Sequence, residues 1–168
     1  MVDSIWELVD IVRMSKKRSL NLIPSICTYS HDIKPLSAFI VAGGKGSRLG
    51  ELGTKTQKCM LNLWGKSILY YTILSLKNSG CSKILIAVNH LSDQVVSYFG
   101  DGLSFGVQIE YVNKNTQSTY DAIYQSLDAL SDRILYVHAN ILFQNKLLEN
   151  LISLGNSSDE SVVAVVDA

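Results

Sequence analysis

Three glycines fall within four positions, Gly43, Gly44 and Gly46, directly after the apolar run Phe39-Ile40-Val41-Ala42 and just ahead of Ser47 and Arg48. An apolar run that stops at such a cluster reads as a buried strand opening into a loop that something must approach closely. Glycine has no Cβ, so the loop adopts positive φ freely and can turn several N–H groups toward one anion. Arg48 adds a fixed fork of donors that matches phosphate oxygens. Phosphate binding is the chemistry this pattern predicts.

Spacing narrows the kind of phosphate loop. A Walker A loop carries Lys-Ser/Thr directly after its last glycine, whereas Gly46 is followed by Ser47-Arg48. A dinucleotide loop needs G-x-G-x-x-G and an acid ending the second strand. Here Gly44, Gly46 and Gly50 miss that spacing by one, and the second strand ends in Asn89-His90.

The elements that must position this loop are legible from residue 36 onward, where strand and helix patterns alternate. Strands are predicted at 36–42, 83–89, 107–112, 133–137 and 161–166, and helices at 67–78, 92–98, 119–130 and 145–154. Ile68, Tyr71, Leu74 and Leu76 have helical spacing in the first helix. Ala122, Ile123, Leu127 and Leu130 mark the apolar side of the third. Ser92 is the expected N-cap of the second, and Gly80 a stop for the first. Continuous apolar strands separated by helices predict an α/β fold with a largely parallel sheet covered on both faces. Ligands in such folds bind beyond the C-terminal strand ends, which singles out the loops 43–58, 113–119 and 138–143.

Residues 1–35 read differently. Ser4 and Glu7 fit a capping box, and Ile5, Leu8, Val9 and Val12 follow helical spacing. Lys16-Lys17-Arg18 comes next, then a segment between Pro24 and Pro35 without periodicity, expected to be a linker. The chain's 168 residues suit one domain. Its 15 basic and 15 acidic residues cancel, which argues against a nucleic-acid partner. No apolar run reaches the roughly 18 residues of a membrane span. Asp3, Glu7 and Asp10 interrupt any signal-peptide core. Cys27, Cys59 and Cys81 lack metal-type spacing, and reduced thiols in a cytoplasmic protein are expected.

The loop Ala42-Gly43-Gly44-Lys45-Gly46-Ser47-Arg48-Leu49 resembles the A-G-G-x-G-[ST]-R-[LM] signature of the sugar-1-phosphate nucleotidyltransferases. The resemblance continues through Gln57-Lys58, the turn Gly65-Lys66-Ser67, the stretch Gly100-Asp101-Gly102 and the run 106–111. It includes Thr119-Tyr120-Asp121-Ala122-Ile123, similar to the family's G-T-A-[GD]-A turn, and runs from about Leu36 to Val166. It implies a three-layer α/β/α Rossmann-like nucleotidyltransferase fold, and transfer of a nucleotidyl group from a nucleoside triphosphate to a sugar 1-phosphate with release of pyrophosphate. It further implies that Ala42, Gly43, Gly44, Gly46 and Ser47 line the nucleotide loop, and that Arg48 holds the leaving pyrophosphate. Lys58 would approach the α-phosphate and the incoming phosphate, and Ser118 and Thr119 would meet the base or ribose. Asn140 falls at the metal position, where the family has an aspartate for Mg²⁺.

Several positions depart from the family pattern. Asn140 replaces that aspartate and is expected to weaken Mg²⁺ binding. Ser118 replaces a glycine and Tyr120 an alanine. Gln57, Asn62 and Ser67 each stand where the family has proline, and Gln57 is expected to loosen the backbone before Lys58. The domain 36–168 is expected to be incomplete, since family members continue well past residue 168. The acceptor could also be another phosphorylated alcohol, such as phosphocholine. The alternative from a different class is a catalytically inactive relative that serves as a nucleotide-binding or regulatory subunit. The expected partners are a nucleoside triphosphate and a sugar 1-phosphate, with a second copy or partner subunit against the exposed apolar surface. The sequence names neither base nor sugar.

Overall fold

A computed structural model describes residues 36–113, 119–131 and 133–157. The expectations for residues 1–35, for Ser118 and for a strand at 161–166 lie outside them. The order is β1 (Leu36–Ala42), α1 (Glu51–Lys55), the short β2 (Asn62–Leu63) and β3 (Lys66–Ser67), then α2 (Ile68–Asn78) and β4 (Cys81–Val88). There follow α3 (Ser92–Phe99), β5 (Gln108–Asn113), α4 (Thr119–Ser126), β6 (Arg133–His138) and α5 (Asn145–Ser157).

β1, β4, β5 and β6 form one parallel sheet in the order β5-β4-β1-β6. β1 runs through its middle, which is why its side chains are apolar almost without interruption. Ala38, Ile40 and Ala42 face one side, with Ile84, Ile86 and Val88 of β4. Leu69, Ile73 and Leu76 of α2, Val95 and Phe99 of α3 and Leu148 of α5 cover that face. Phe39 faces the other side and packs with Leu85, Ala87, Ile123 of α4 and Leu130. Each such Ile, Leu or Phe stabilises the fold by roughly 1.5–3 kcal/mol.

Register aligns the strand ends. Ala42 pairs with Val88 and Val88 with Asn113, while Val41 pairs with His138. The glycine loop, Asn89 and the turn after β6 therefore emerge along one rim. The chain steps outward from β1 to β4 and β5, then returns to the far side of β1 as β6. That reversal is a topological switch point, where a crevice opens beyond the strand ends.

Three local expectations differ from the structure. The buried stripe of α2 is Leu69, Thr72, Ile73 and Leu76, while Leu74 is exposed; the even spread of apolar residues left the face ambiguous. Ser92 does not cap α3. Leu91 takes the N-cap position in left-handed conformation (φ 51°) without a side-chain cap bond, and its carbonyl accepts from Gln94 N at 3.1 Å. The helix predicted to reach residue 130 is α-helical only to Ser126, then tightens into a 3₁₀ turn over Leu127–Ala129.

Candidate functional site

The loop after β1 is shaped by glycine at several levels. A Cβ on Gly43 would stand 3.2 Å from the Asn89 Cβ, so a side chain there would press on the end of β4. Gly46 is left-handed (φ 62°, ψ 32°) and opens the 3₁₀ turn Ser47–Leu49 that carries Arg48. Gly53, in α1, lies against this turn: a Cβ there would stand 2.6 Å from the Gly46 carbonyl oxygen. Among the described residues, none accepts a hydrogen bond from the backbone N–H groups of Gly43, Gly44, Lys45 or Gly46. Four consecutive uncommitted donors follow the buried strand, which is what an anion-binding loop requires.

Lys58 lies beside this loop although it is far along the chain. A Cβ on Gly46 would come 3.7 Å from the Lys58 Cβ. Lys58 opens a second 3₁₀ turn, Lys58–Met60, and both it and Arg48 are exposed. No carboxylate among the described residues is ion-paired with either. Residues 43–58 hold four cations, Lys45, Arg48, Lys55 and Lys58, against the single acid Glu51. The rim is thus locally positive in a chain with no net charge.

What fixes the second turn is Gln57, at 2% exposure one of the most buried polar residues described. Its Nε2 donates to the Ala42 carbonyl at the end of β1, and its Oε1 accepts from Cys59 N at 2.7 Å. Its own backbone N–H donates to Gln94 Oε1 at 2.9 Å, while Gln94 Nε2 donates to the Lys55 carbonyl at 2.8 Å. His90 Nε2 lies 3.1 Å from the Gly53 carbonyl oxygen. The end of β4 and the start of α3 therefore hold down the whole segment 53–57. The backbone before Lys58 is pinned rather than loosened, contrary to the expectation for Gln57, because the side chain turns inward.

The remaining predicted residues are placed as follows. Ala42 is buried and contributes its carbonyl; Ser47 is exposed at the start of its turn. Thr119 opens α4, and Asn140 is exposed in the turn after β6, where Ala139 N donates to the Val41 carbonyl at 3.1 Å. The Cys59 thiol beside Lys58 is pushed up to about 12 by burial, so it stays a neutral packing group. His138 lies edge-on to Tyr136, with centroids 5.5 Å apart. No group of three or more His, Cys, Asp or Glu among the described residues could hold a metal. Asn140 offers one uncharged hard oxygen donor, a set that suits Mg²⁺ arriving with phosphate oxygens rather than an ion held by protein alone. No helix among the described residues is long and apolar enough to cross a membrane.

Gly53 and Gln94 help to frame the glycine loop and carried no signal in the sequence; Gln57 was marked there as a departure from proline, but not as a buried bridge.

Open α/β sheets bind ligands beyond their strand ends at such a switch point. The nucleotidyl transferase family model matches residues 37–167, and the chain belongs to that family. Nucleotidyltransferases of this family generally use Mg²⁺. Over 76 residues the chain is 36% identical to the UTP–glucose-1-phosphate uridylyltransferase of Synechocystis, covering 45% of this chain and 20% of that protein. It is 28% identical over 136 residues to the CTP:phosphoglutamine cytidylyltransferase of Campylobacter jejuni, covering 77% and 52%. A solved structure described as a glucose-1-phosphate thymidylyltransferase from Bacillus anthracis, in complex with a sucrose, superposes with TM-score 0.64 at 26% identity. The match covers 72% of this chain and 50% of that one. The chain spans about half or less of the length of these relatives.

Proposed function

We propose that residues 36–168 form the nucleotide-binding part of a nucleotidyltransferase, preceded by a separate segment at 1–35. In the reaction, a phosphate oxygen of a sugar 1-phosphate attacks the α-phosphorus of a nucleoside triphosphate. The bond from that phosphorus to the bridging oxygen of the β-phosphate breaks, and pyrophosphate leaves with the electron pair. The protein's task is to hold two anions in line and to offset charge on the transferring group.

The observation that carries this reading is the row of uncommitted N–H donors at 43–46. Those of Gly43, Gly44 and Gly46 cradle the triphosphate, with Ala42 and Ser47 bounding the loop. Arg48 holds the departing pyrophosphate, and Lys58 steadies the α-phosphate and the attacking phosphate. Ser118 and Thr119 meet the base or ribose. Asn140 lends an oxygen to Mg²⁺, more weakly than an aspartate would. The acceptor is a sugar 1-phosphate or a related phosphorylated compound; relatives named for phosphoglutamine and for an aminopropylphosphonate support that breadth. Acceptor contacts from a second copy or partner subunit belong to the same proposal. Free, buried Cys59 and Cys81 fit a reducing cytoplasm.

The test is titration calorimetry of the chain with ATP, GTP, CTP, UTP and dTTP, with and without MgCl₂, followed by pyrophosphate release with a panel of sugar 1-phosphates. Binding of at least one triphosphate is expected; binding of none would sink the reading. Binding without turnover would favour an inactive nucleotide-binding relative, the reading that Asn140 supports.

A further inference from the structure

Gln57 combines three features that do not ordinarily meet in a surface turn. It is almost fully buried, both ends of its amide are bonded to backbone, and its main chain sits at φ −63°, ψ 134°. That φ is the one a proline ring imposes. Thr56 before it is extended at φ −132°, ψ 128°, as a residue preceding proline would be. Without a ring, the same backbone must be fixed by bonds. Gln57 supplies two from its side chain, and its N–H supplies a third to Gln94.

We propose that Gln57 is a positioning residue for Lys58, with Gln94 as its outer support. The inference rests on the nucleotide-binding reading above. Ala42 is the last residue before the cradle, and Cys59 is the residue after Lys58. One amide group therefore sets the distance between the donors at 43–46 and the base of the Lys58 side chain. The Lys58 side chain is exposed and has no ion-pair partner among the described residues, so its placement follows that of its backbone. A buried amide left half-satisfied is costly, so the bridge is either made completely or the turn shifts. Gln57 touches neither phosphate nor acceptor; it acts through Lys58.

The test is a double-mutant cycle on the full chain, read by calorimetry with the tightest-binding nucleoside triphosphate and, separately, with inorganic tripolyphosphate. Gln57→Ala is expected to weaken binding about tenfold. In the Lys58→Ala background it should weaken binding no further, because the positioned group is gone. Gln57→Pro, which restores φ through its ring but has no N–H for Gln94 Oε1, should recover part of the loss, to about the level of Gln94→Ala. Gln94→Ala, half-buried and less disruptive, should repeat the Gln57→Ala effect in milder form. An equal loss with and without Lys58 would make Gln57 a structural residue only and overturn the proposal. Amide hydrogen exchange gives a readout independent of nucleotide. Met60 N–H donates to the Gln57 carbonyl, not to its side chain, at 2.8 Å. Its exchange should quicken in Gln57→Ala and slow again in Gln57→Pro. Unchanged Met60 exchange in Gln57→Ala would overturn the positioning role even if triphosphate binds. Absence of triphosphate binding in the wild type would overturn the functional reading, leaving exchange to decide the role of Gln57 in placing the turn.

Discussion

Gly53 packs so closely on Gly46 that a Cβ on Gly53 would stand 2.6 Å from the Gly46 carbonyl oxygen. The helix carrying Gly53 is thereby pressed against the one left-handed residue among 43–46.

Gly53→Ala is expected to push that helix off the cradle, lowering stability by about 2 kcal/mol and weakening triphosphate binding as well. Gly44 is its control. A Cβ there meets nothing within 4 Å, and Gly44 is not among the glycines at positive φ. Gly44→Ala should leave stability within about 0.5 kcal/mol of wild type while still weakening binding, because only an incoming ligand needs that space. Thermal melts paired with calorimetry separate the two variants. A Gly44→Ala protein that binds normally would remove Gly44 from the cradle.

Arg48 is exposed and has no ion-pair partner among the described residues. Arg48→Ala should leave the melting temperature unchanged and weaken triphosphate binding at least tenfold, the scale of one lost charge-assisted contact. A drop in melting temperature without loss of binding would assign Arg48 to the fold.

Asn140→Asp places a carboxylate in an exposed turn at the end of β6. The folded state should tolerate it within about 0.5 kcal/mol. Triphosphate binding should become more strongly dependent on MgCl₂, and an effect of magnesium identical to wild type would exclude this position as a ligand.

Alkaline stability follows from burial. The Cys59 and Cys81 thiols are raised from 9.0 to about 12 by desolvation, in Cys81 partly offset by Arg133. Tyr111 is raised from 10.0 to about 12 by desolvation and then by Asp101. These groups hold their protons longer folded than unfolded. Their contribution is complete below pH 9 and is lost as pH rises through about 12. The melting temperature should fall over that window, more shallowly in Cys59→Ala relative to its own neutral-pH value. A flat profile in wild type would contradict the burial.

Much of this was legible in the sequence, where the pattern is local. Apolar runs marked the sheet strands at 36–42, 83–89, 107–112 and 133–137, and the glycine cluster marked the loop that ends β1. The rest depends on contacts between distant residues. Gln57 bonds to partners 15 and 37 positions away, so nothing beside it in the chain announces that it turns inward. Gly53 is small because of where Gly46 lies in space. The three departures from family prolines share one physical answer. Gln57 bonds Ala42 and Cys59, Asn62 Oδ1 accepts from Gly65 N at 2.9 Å, and Ser67 Oγ accepts from Tyr70 N at 3.1 Å. In each, a polar side chain restrains the backbone where a ring would have done so. Composition shows that the rings are missing, but not what replaces them.

The position of β1 also determines when the cradle can exist. Its partners are not its neighbours in the chain: Leu36 pairs with Cys81 on one side and with Arg133 on the other. Parallel pairings across such long loops close slowly, because the entropy of each loop must be lost before its contacts form. During synthesis β1 emerges early, yet it has no strand on its second edge until residues 133–138 have been made. The glycine loop is thus encoded beside β1, while its two-sided support waits for residues 133–138. A nascent chain stalled before β6 would carry the whole glycine signature and still lack the two-sided support that holds it in shape.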